Sequence, residues 1–312
     1  MNIKRILIIC LCIGLIACQE DDQQFGEIVA PSNLTIDTEI VGADADNPFG
    51  DGSGEVIFTA DADNAISYEF KYSGNEQNAP SGTASYIFSN QDVNTYTVTA
   101  VAYGKGGVST SETVDVEVLV TYDPPVELKT KLYNFDPENP DAVTSRTWRI
   151  KAEAPNHFGL GPVDGDIPTE FYGAGINEKV GVGMYDDRYI FDSENNFTFI
   201  TNANNDEGGT DSSGTVFGRA GLIDELGASG GEANGADIEN LPFEDFQVTY
   251  SLIELSGKET ISISGIGFIG YYTGGNHNYE IFDRSVPNEL LLRTTDGNNE
   301  FDWWFILQAV DE

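Results

Sequence analysis

Alternation of apolar and polar residues with a period of two dominates the chain. It runs through "GEVIFTADA" (54–62), "ISYEFKYSG" (66–74), "NTYTVTAVAYGKGG" (94–107) and "TSETVDVEVLV" (110–120). Successive side chains of a strand point to opposite faces, so each stretch predicts a half-buried strand. Gly and Asn clusters separate the stretches at intervals typical of sandwiches, which predicts a small β-sandwich over 31–121. "TYDPPVE" (121–127) follows as a stiff proline linker, with Asp123 biased away from helix by the proline after it.

From 126 to 312 the pattern predicts a second, larger β-unit. Its strand candidates are "RTWRIKAE", "DRYIFD", "NFTFIT", "FQVTYSLIEL", "ETISISG", "GFIGYYTG", "NYEIFDR", "ELLLRTTD" and "FDWWFILQ". "DRYIFDSENNFTFIT" reads as a hairpin turning at Asp-Ser-Glu-Asn-Asn. Long stretches with helical periodicity are missing. The fold class expected is therefore all-β, an immunoglobulin-like sandwich followed by a jelly-roll-like sandwich. The span 202–242 is a long, functional or mobile loop in which "AGLIDELG" can form a short helix. In the last strand, Phe301, Trp303, Phe305 and Leu307 make one wholly apolar face, so Trp303 is expected in the core. Asp302, Trp304, Ile306 and Gln308 make a mixed face, so Trp304 is expected to be partly solvated.

The N-terminus reads as a processing segment. Lys4 and Arg5 precede the apolar run "ILIICLCIGLI", which is too short to span a bilayer comfortably. "LIAC" (15–18) resembles a bacterial lipobox. That resemblance implies a signal peptide over 1–17, lipidation of Cys18 and an acidic tether over 18–30. "QEDDQQ" after the cysteine resembles the surface-export signal of Bacteroidota lipoproteins. All three cysteines, Cys10, Cys12 and Cys18, lie in this region. The remaining chain has no internal disulfide, catalytic thiol or thiolate metal site to offer.

The formal net charge is −37. Without Lys4 and Arg5, 13 basic residues face 52 acidic ones, a net of −39. Such a chain repels nucleic acid, anionic lipid and sulfated polymers, and neutral partners are favoured by elimination. With so many acids, a pair of carboxylates found by eye says nothing about glycoside hydrolysis. The Glu-x-Asp-x-x-Glu signature of jelly-roll β-glucanases is absent. His157 and His277 have no zinc-site spacing. No cofactor is expected. Asp44, Asp46 and Asp51 in "GADADNPFGDGSGE" (42–55) are weak structural Ca²⁺ candidates, since Pro48 and Phe49 break the EF-hand pattern. A solvated acidic loop is the favoured reading, there and at 205–211.

Aromatics in polar loops suggest carbohydrate stacking, where a pyranose lays its C–H face on a ring and polar groups orient it. The candidates are Trp148, His157, Tyr172, Tyr271, Tyr272, His277 and Trp304. For any one of them a core position is the better bet, so the signal lies in the cluster.

Two resemblances sharpen this. The span from "VIFTADADNAISYEFKYSGNE" to "VDVEV" resembles a PKD domain, an immunoglobulin-like spacer. The match is good at the Tyr96–Thr99 strand, and the usual Gly-Asp-Gly turn is lost at "YEFKYSGNE" (68–76). "TWRIKAEAPNHFGLGP", "EFYGAGINEKVGVGMYDDRYIF" and "WWFIL" resemble the C-terminal domain of surface glycan-binding lipoproteins of Bacteroidota polysaccharide-utilization loci. Trp148 and His157 match that group's Trp…His-x-Gly-x-Gly-Pro run, as either a binding or a folding motif. The resemblance implies a non-catalytic lipoprotein facing outward on the outer membrane. It would capture a polysaccharide such as a neutral, laminarin-like β-glucan beside an importer complex. A surface glycoside hydrolase and a structural or adhesion lipoprotein are the alternatives.

Overall fold

The computed structural model describes residues 28–73, 75–201 and 214–310. The lipobox with Cys18, the acidic tract after it and the 205–211 stretch lie outside the described residues.

The first unit holds β1 (Ser32–Ile40), β2 (Glu55–Asp63), β3 (Ala65–Tyr72), β4 (Asn75–Asn78), β5 (Thr83–Ile87), β6 (Asp92–Gly104) and β7 (Ser109–Val120). They form two antiparallel sheets, β1-β2-β5 and β4-β3-β6-β7. The alternation supplies the core between them: Val56 and Phe58 from β2, Phe70 from β3, Tyr96 and Val98 from β6, Val116 and Val118 from β7. Phe88 stacks on Tyr96 with centroids 3.8 Å apart. The long β6–β7 ribbon turns at Gly106 and Gly107, both with φ near +80°, where any side chain would be strained.

The second unit begins with helix α1 (Val126–Tyr133). No helix was expected here. It is short, starts directly after Pro125, and buries only Leu128, Leu132 and Tyr133, so its periodicity hardly stands out from the linker. Its strands are β8 (Ser145–Ile150), β9 (Phe158–Gly161), β10 (Tyr172–Gly173), β11 (Arg188–Asp192), β12 (Asn196–Ile200), β13 (Thr215–Arg219), β14 (Glu232–Asn234), β15 (Asp237–Pro242), β16 (Phe246–Leu255), β17 (Lys258–Ile263), β18 (Tyr271–Tyr272), β19 (Asn278–Asp283), β20 (Glu289–Thr295) and β21 (Asp302–Ala309). The hairpin expected at 187–201 forms as β11 and β12. "AGLIDELG" supplies only a 3-10 turn at Ile223–Leu226.

The all-β expectation holds, but the connectivity of this unit is not that of a jelly roll. Around the large sheet the order is β8-β11-β12-β16-β17-β19-β20-β21, and β21 pairs back onto β8. Each stave lies beside the next stave in the chain, and every pairing is antiparallel. This is an eight-stranded up-and-down barrel, whereas a jelly roll needs two Greek keys. Eight of the nine strand candidates became the staves. The ninth, "GFIGYYTG", contributes only β18, in a separate four-stranded sheet, β14-β15-β13-β18.

An eight-stranded barrel is just wide enough for side chains to fill it. Trp148, Tyr189, Phe191, Phe197, Phe199, Tyr250, Tyr279, Trp303 and Phe305 are all buried in its core. Trp148 also donates its indole N–H to Leu132 O at 2.9 Å, which ties α1 to the first stave. Trp303 lies 5.6 Å from Phe158, stacked, and 4.5 Å from Tyr271.

The stretch between β9 and β10, residues 162–171, leaves the barrel as a strap. It returns against β9 through Tyr172↔Leu160 and Gly173↔Gly159. Gly159 allows this close approach. A Cβ on Gly159 would meet Tyr172 O at 2.1 Å and Thr169 Cγ2 at 2.7 Å. On the same face Gly161 lies opposite Asp302 and Gly159 opposite Trp304, so β9 presents no side chain beside that tryptophan and the strap takes its place.

Trp303→Ala should lower the unfolding free energy by about 3–5 kcal/mol, because it empties a ring-sized volume between Phe158 and Tyr271. Urea titration of the variant checks this. A loss below about 1 kcal/mol would show that Trp303 does not anchor the barrel.

Candidate functional site

Most residues expected to meet a sugar do not reach solvent. Trp148, Trp304, His157 and Tyr271 are fully buried, and Tyr272 is 1% exposed. The expectation of a partly solvated face for Trp304 is corrected: the strap crosses it. Tyr271 and Tyr272 sit in β18, inside the join between the small sheet and the barrel. Their hydroxyls donate to Asp237 Oδ1 at 2.5 Å and Glu225 Oε2 at 2.9 Å.

His157 is held from both sides. Its Nδ1–H donates to Ala154 O at 2.7 Å, and Nε2 accepts from the Tyr185 hydroxyl at 2.6 Å. A carbonyl can only accept, which fixes this neutral tautomer. Tyr185 accepts in turn from the Lys179 amide at 2.9 Å. Burial holds the His157 pKa below its ordinary value. With Trp148 on α1 and the two glycines under the strap, the Trp…His-x-Gly-x-Gly-Pro run makes folding contacts throughout.

Tyr172 is half-buried. Its hydroxyl donates to Glu178 Oε1 at 2.7 Å, and Lys179 Nζ lies 5.6 Å from its ring. His277 is also half-buried, 5.8 Å from the Tyr272 ring, with backbone φ of 54°. Desolvation pushes its pKa down to about 4.

The calcium candidates are occupied by their own loop. Asp44 Oδ1 accepts from the amides of Asp46 at 2.8 Å and Asn47 at 2.7 Å, and Asp51 Oδ1 accepts from Ser53 N at 2.9 Å. The Asn47 amide is the main cause that holds the Asp44 pKa down. These are Asx turns. Among the described residues, no group of three or more His, Cys, Asp or Glu side chains could hold a metal ion. The adjacent carboxylates Asp186 and Asp187 are both fully buried. Burial first, then Asp186, drives the Asp187 pKa well up, and neither group faces an open cleft.

One aromatic cluster does reach solvent. Phe171, at the end of the strap, is 59% exposed. Phe301, just before β21, stands perpendicular to it with centroids 6.4 Å apart. The Arg219 guanidinium, from the end of β13, lies 5.4 Å from the Phe301 ring and pairs with Glu300 at 3.0 Å. Tyr172 follows Phe171 directly. The sequence reading chose Tyr172 over its neighbour Phe171, while Phe301, half-buried, packs against the barrel core and also meets Phe171. The signal available was the adjacency itself: where Tyr172 packs inward, its neighbour must face out.

No family model and no curated protein matches the chain. Among solved structures, the PKD1 domain of Vibrio anguillarum Epp is similar at 18% identity, covering 30% of this chain and 100% of that one, with a TM-score of 0.22. A structure described as showing the promiscuous specificity of carbohydrate-binding modules from the β-sandwich superfamily is similar at 12% identity, covering 92% of this chain and 94% of that one, with a TM-score of 0.24.

The half-buried histidine makes a pH prediction. Its folded pKa of about 4 lies below its ordinary 6.5, so on acidification the unfolded chain takes the proton first. Its contribution is present above pH 6.5 and is lost as pH falls toward about 4. His277→Asn removes the titration and tolerates the left-handed backbone. Asp187 acts in the opposite sense in both proteins and cancels in the comparison. Urea unfolding between pH 7 and 4 should show the steeper loss in the wild type, and equal slopes would refute the assignment.

Proposed function

We propose that this protein is a non-catalytic glycan-binding lipoprotein. In this reading it is anchored through Cys18 and faces outward on the outer membrane, with the N-terminal sandwich as a spacer. Its ligand is a neutral polysaccharide of the laminarin-like β-glucan type, passed to an importer complex of the same system.

The observation that carries the reading is the exposed ring of Phe171 with half-buried Phe301 and Arg219 beside it. Perpendicular rings make a corner rather than a flat plate, and a corner suits a chain that bends. A pyranose can stack on Phe171 while its hydroxyls meet Arg219 and Glu300. Two further features support it. The barrel interior is filled with aromatic side chains, which favours recognition on its outside. The acidic surface favours an uncharged ligand.

Affinity electrophoresis and calorimetry against a panel of neutral glycans that includes laminarin test the proposal. Phe171→Ala should weaken binding about three- to tenfold while the unfolding midpoint holds. Failure of the wild type to bind any glycan would sink the reading, and new reducing ends in the mixture would replace it with a hydrolase. Cys18→Ala should move the chain from the membrane fraction to the soluble fraction.

A further inference from the structure

Trp304 is buried without belonging to the barrel core. Its neighbour Trp303 points inward, and Trp304 points out of the same stave beneath the strap. Phe282 meets it edge-on at 4.7 Å, and the Arg293 guanidinium lies 5.5 Å from its ring. Arg293 is only 6% exposed and Asp302 1%. Arg293 Nε donates to Glu280 Oε2 at 3.1 Å, and its Nη1 lies 3.4 Å from Asp302 Oδ2. A tryptophan face, a guanidinium and two carboxylates thus share one patch of the outer wall.

The strap's side-chain and backbone pins over this patch are few. Arg293 Nη1 donates to Gly165 O at 2.7 Å, and the Asp164 amide donates to Asp302 Oδ2 at 2.9 Å. The strap turns its largest apolar side chains away from the patch: Ile167 is 60% exposed and Phe171 59%. A segment serving only as a plug would turn them inward. The fit also leaves a defect. The indole N–H of Trp304 is fully buried and has no acceptor, although buried donors are nearly always satisfied.

We propose that the strap, residues 162–171, is a displaceable cover. The face beneath it, Trp304 with Arg293, Glu280 and Asp302, is then a second saccharide subsite that opens when a glycan chain engages Phe171 at the strap's end. This rests on the glycan-binding reading and extends its site. The aromatic face takes the C–H side of a pyranose. The guanidinium and carboxylates, freed from the strap's backbone, take hydroxyls, and the orphaned indole N–H gains an oxygen. Phe171 links the two subsites, because it belongs both to the exposed cluster and to the strap.

A staple tests this in the full chain, whose own cysteines all lie within the first eighteen residues. A Cβ on Gly161 would stand 3.7 Å from Glu170 Cβ, inside the range a disulfide needs. Gly161→Cys with Glu170→Cys, once oxidised, should therefore hold the strap down. Hydrogen exchange at the indole N–H groups, followed by NMR, reads the opening without any ligand. In the wild type and in the reduced variant, Trp304 should exchange at least about tenfold faster than Trp148, whose N–H is bonded to Leu132. Oxidation should slow Trp304 at least about tenfold and weaken laminarin binding by a similar factor, and reduction should restore both. Wild-type exchange at Trp304 as slow as at Trp148 would overturn the cover, even if the double variant failed to fold. Unchanged laminarin binding in the oxidised protein, with Phe171→Ala still impaired, would overturn the second subsite and leave the first reading intact. Binding to no glycan at all would remove the saccharide assignment together with the reading it rests on.

Discussion

The pairing of the last stave with the first decides this structure. Leu307 lies opposite Ile150, and Ala309 opposite Trp148. Without that closure β8 and β21 would be exposed edges, a liability for any sheet. With it, the meander encloses one aromatic core that neither sheet edge could bury alone. The closing strand is also divided. Residues 302–305 of β21 pair with β9, and 307–309 pair with β8. At the break between β8 and β9, where His157 is clamped, the pairing of β21 passes from one to the other, and beyond β9 the chain leaves as the strap. The strap and Phe171 therefore hang from the same seam.

The staves were legible because each is a local pattern. Tyr189 and Phe191, Phe197 and Phe199, Ile261 and Ile263 all alternate within a few residues, and all entered the core. Trp303 was legible for the same reason. Closure was not, because Ile150 and Leu307 are far apart in the chain and nothing in either strand names its partner. Without closure, short strands in number suggest a jelly roll as readily as a barrel. The candidate site was less legible still. Aromatics among Gly, Asn and His at 270–280 looked like loop platforms, but Tyr271 packs on Phe158 and Trp303, and Tyr272 on Phe268. Phe158 and Trp303 come from distant parts of the chain, which no local pattern announces. Trp304 was misread because most of its cover, "PVDGDIPTE" (162–170), has the composition of a solvated turn.

Charge shapes the outside in a related way. Cations are scarce against 52 acidic residues, and several of them serve as pins between elements. Arg284 grips Glu259 through two nitrogens at 2.6 and 3.0 Å, and Lys151 bonds Glu289. Arg146 reaches from β8 to Lys131 O on α1 and to Asn288. Arg293 holds the strap. Pairs that are partly sheltered keep more of their strength than exposed ones, which matters in a chain whose net charge repels itself.

Arg219 belongs to a different group. Its partner Glu300 is exposed, and a bond open to water on one side contributes about 0–1 kcal/mol, so it costs little to exchange for another partner. Arg293, enclosed between Phe282 and Trp304, cannot change partners without movement of the chain above it. The two arginines thus set two thresholds on one continuous stretch of surface, one open from the start and one conditional on the strap. Phe171 stands where these meet. Its ring touches the open cluster, and its amide still donates to Leu160 O at 3.1 Å, at the foot of the strap. A ligand that pulls on that ring acts on the segment that hides the other.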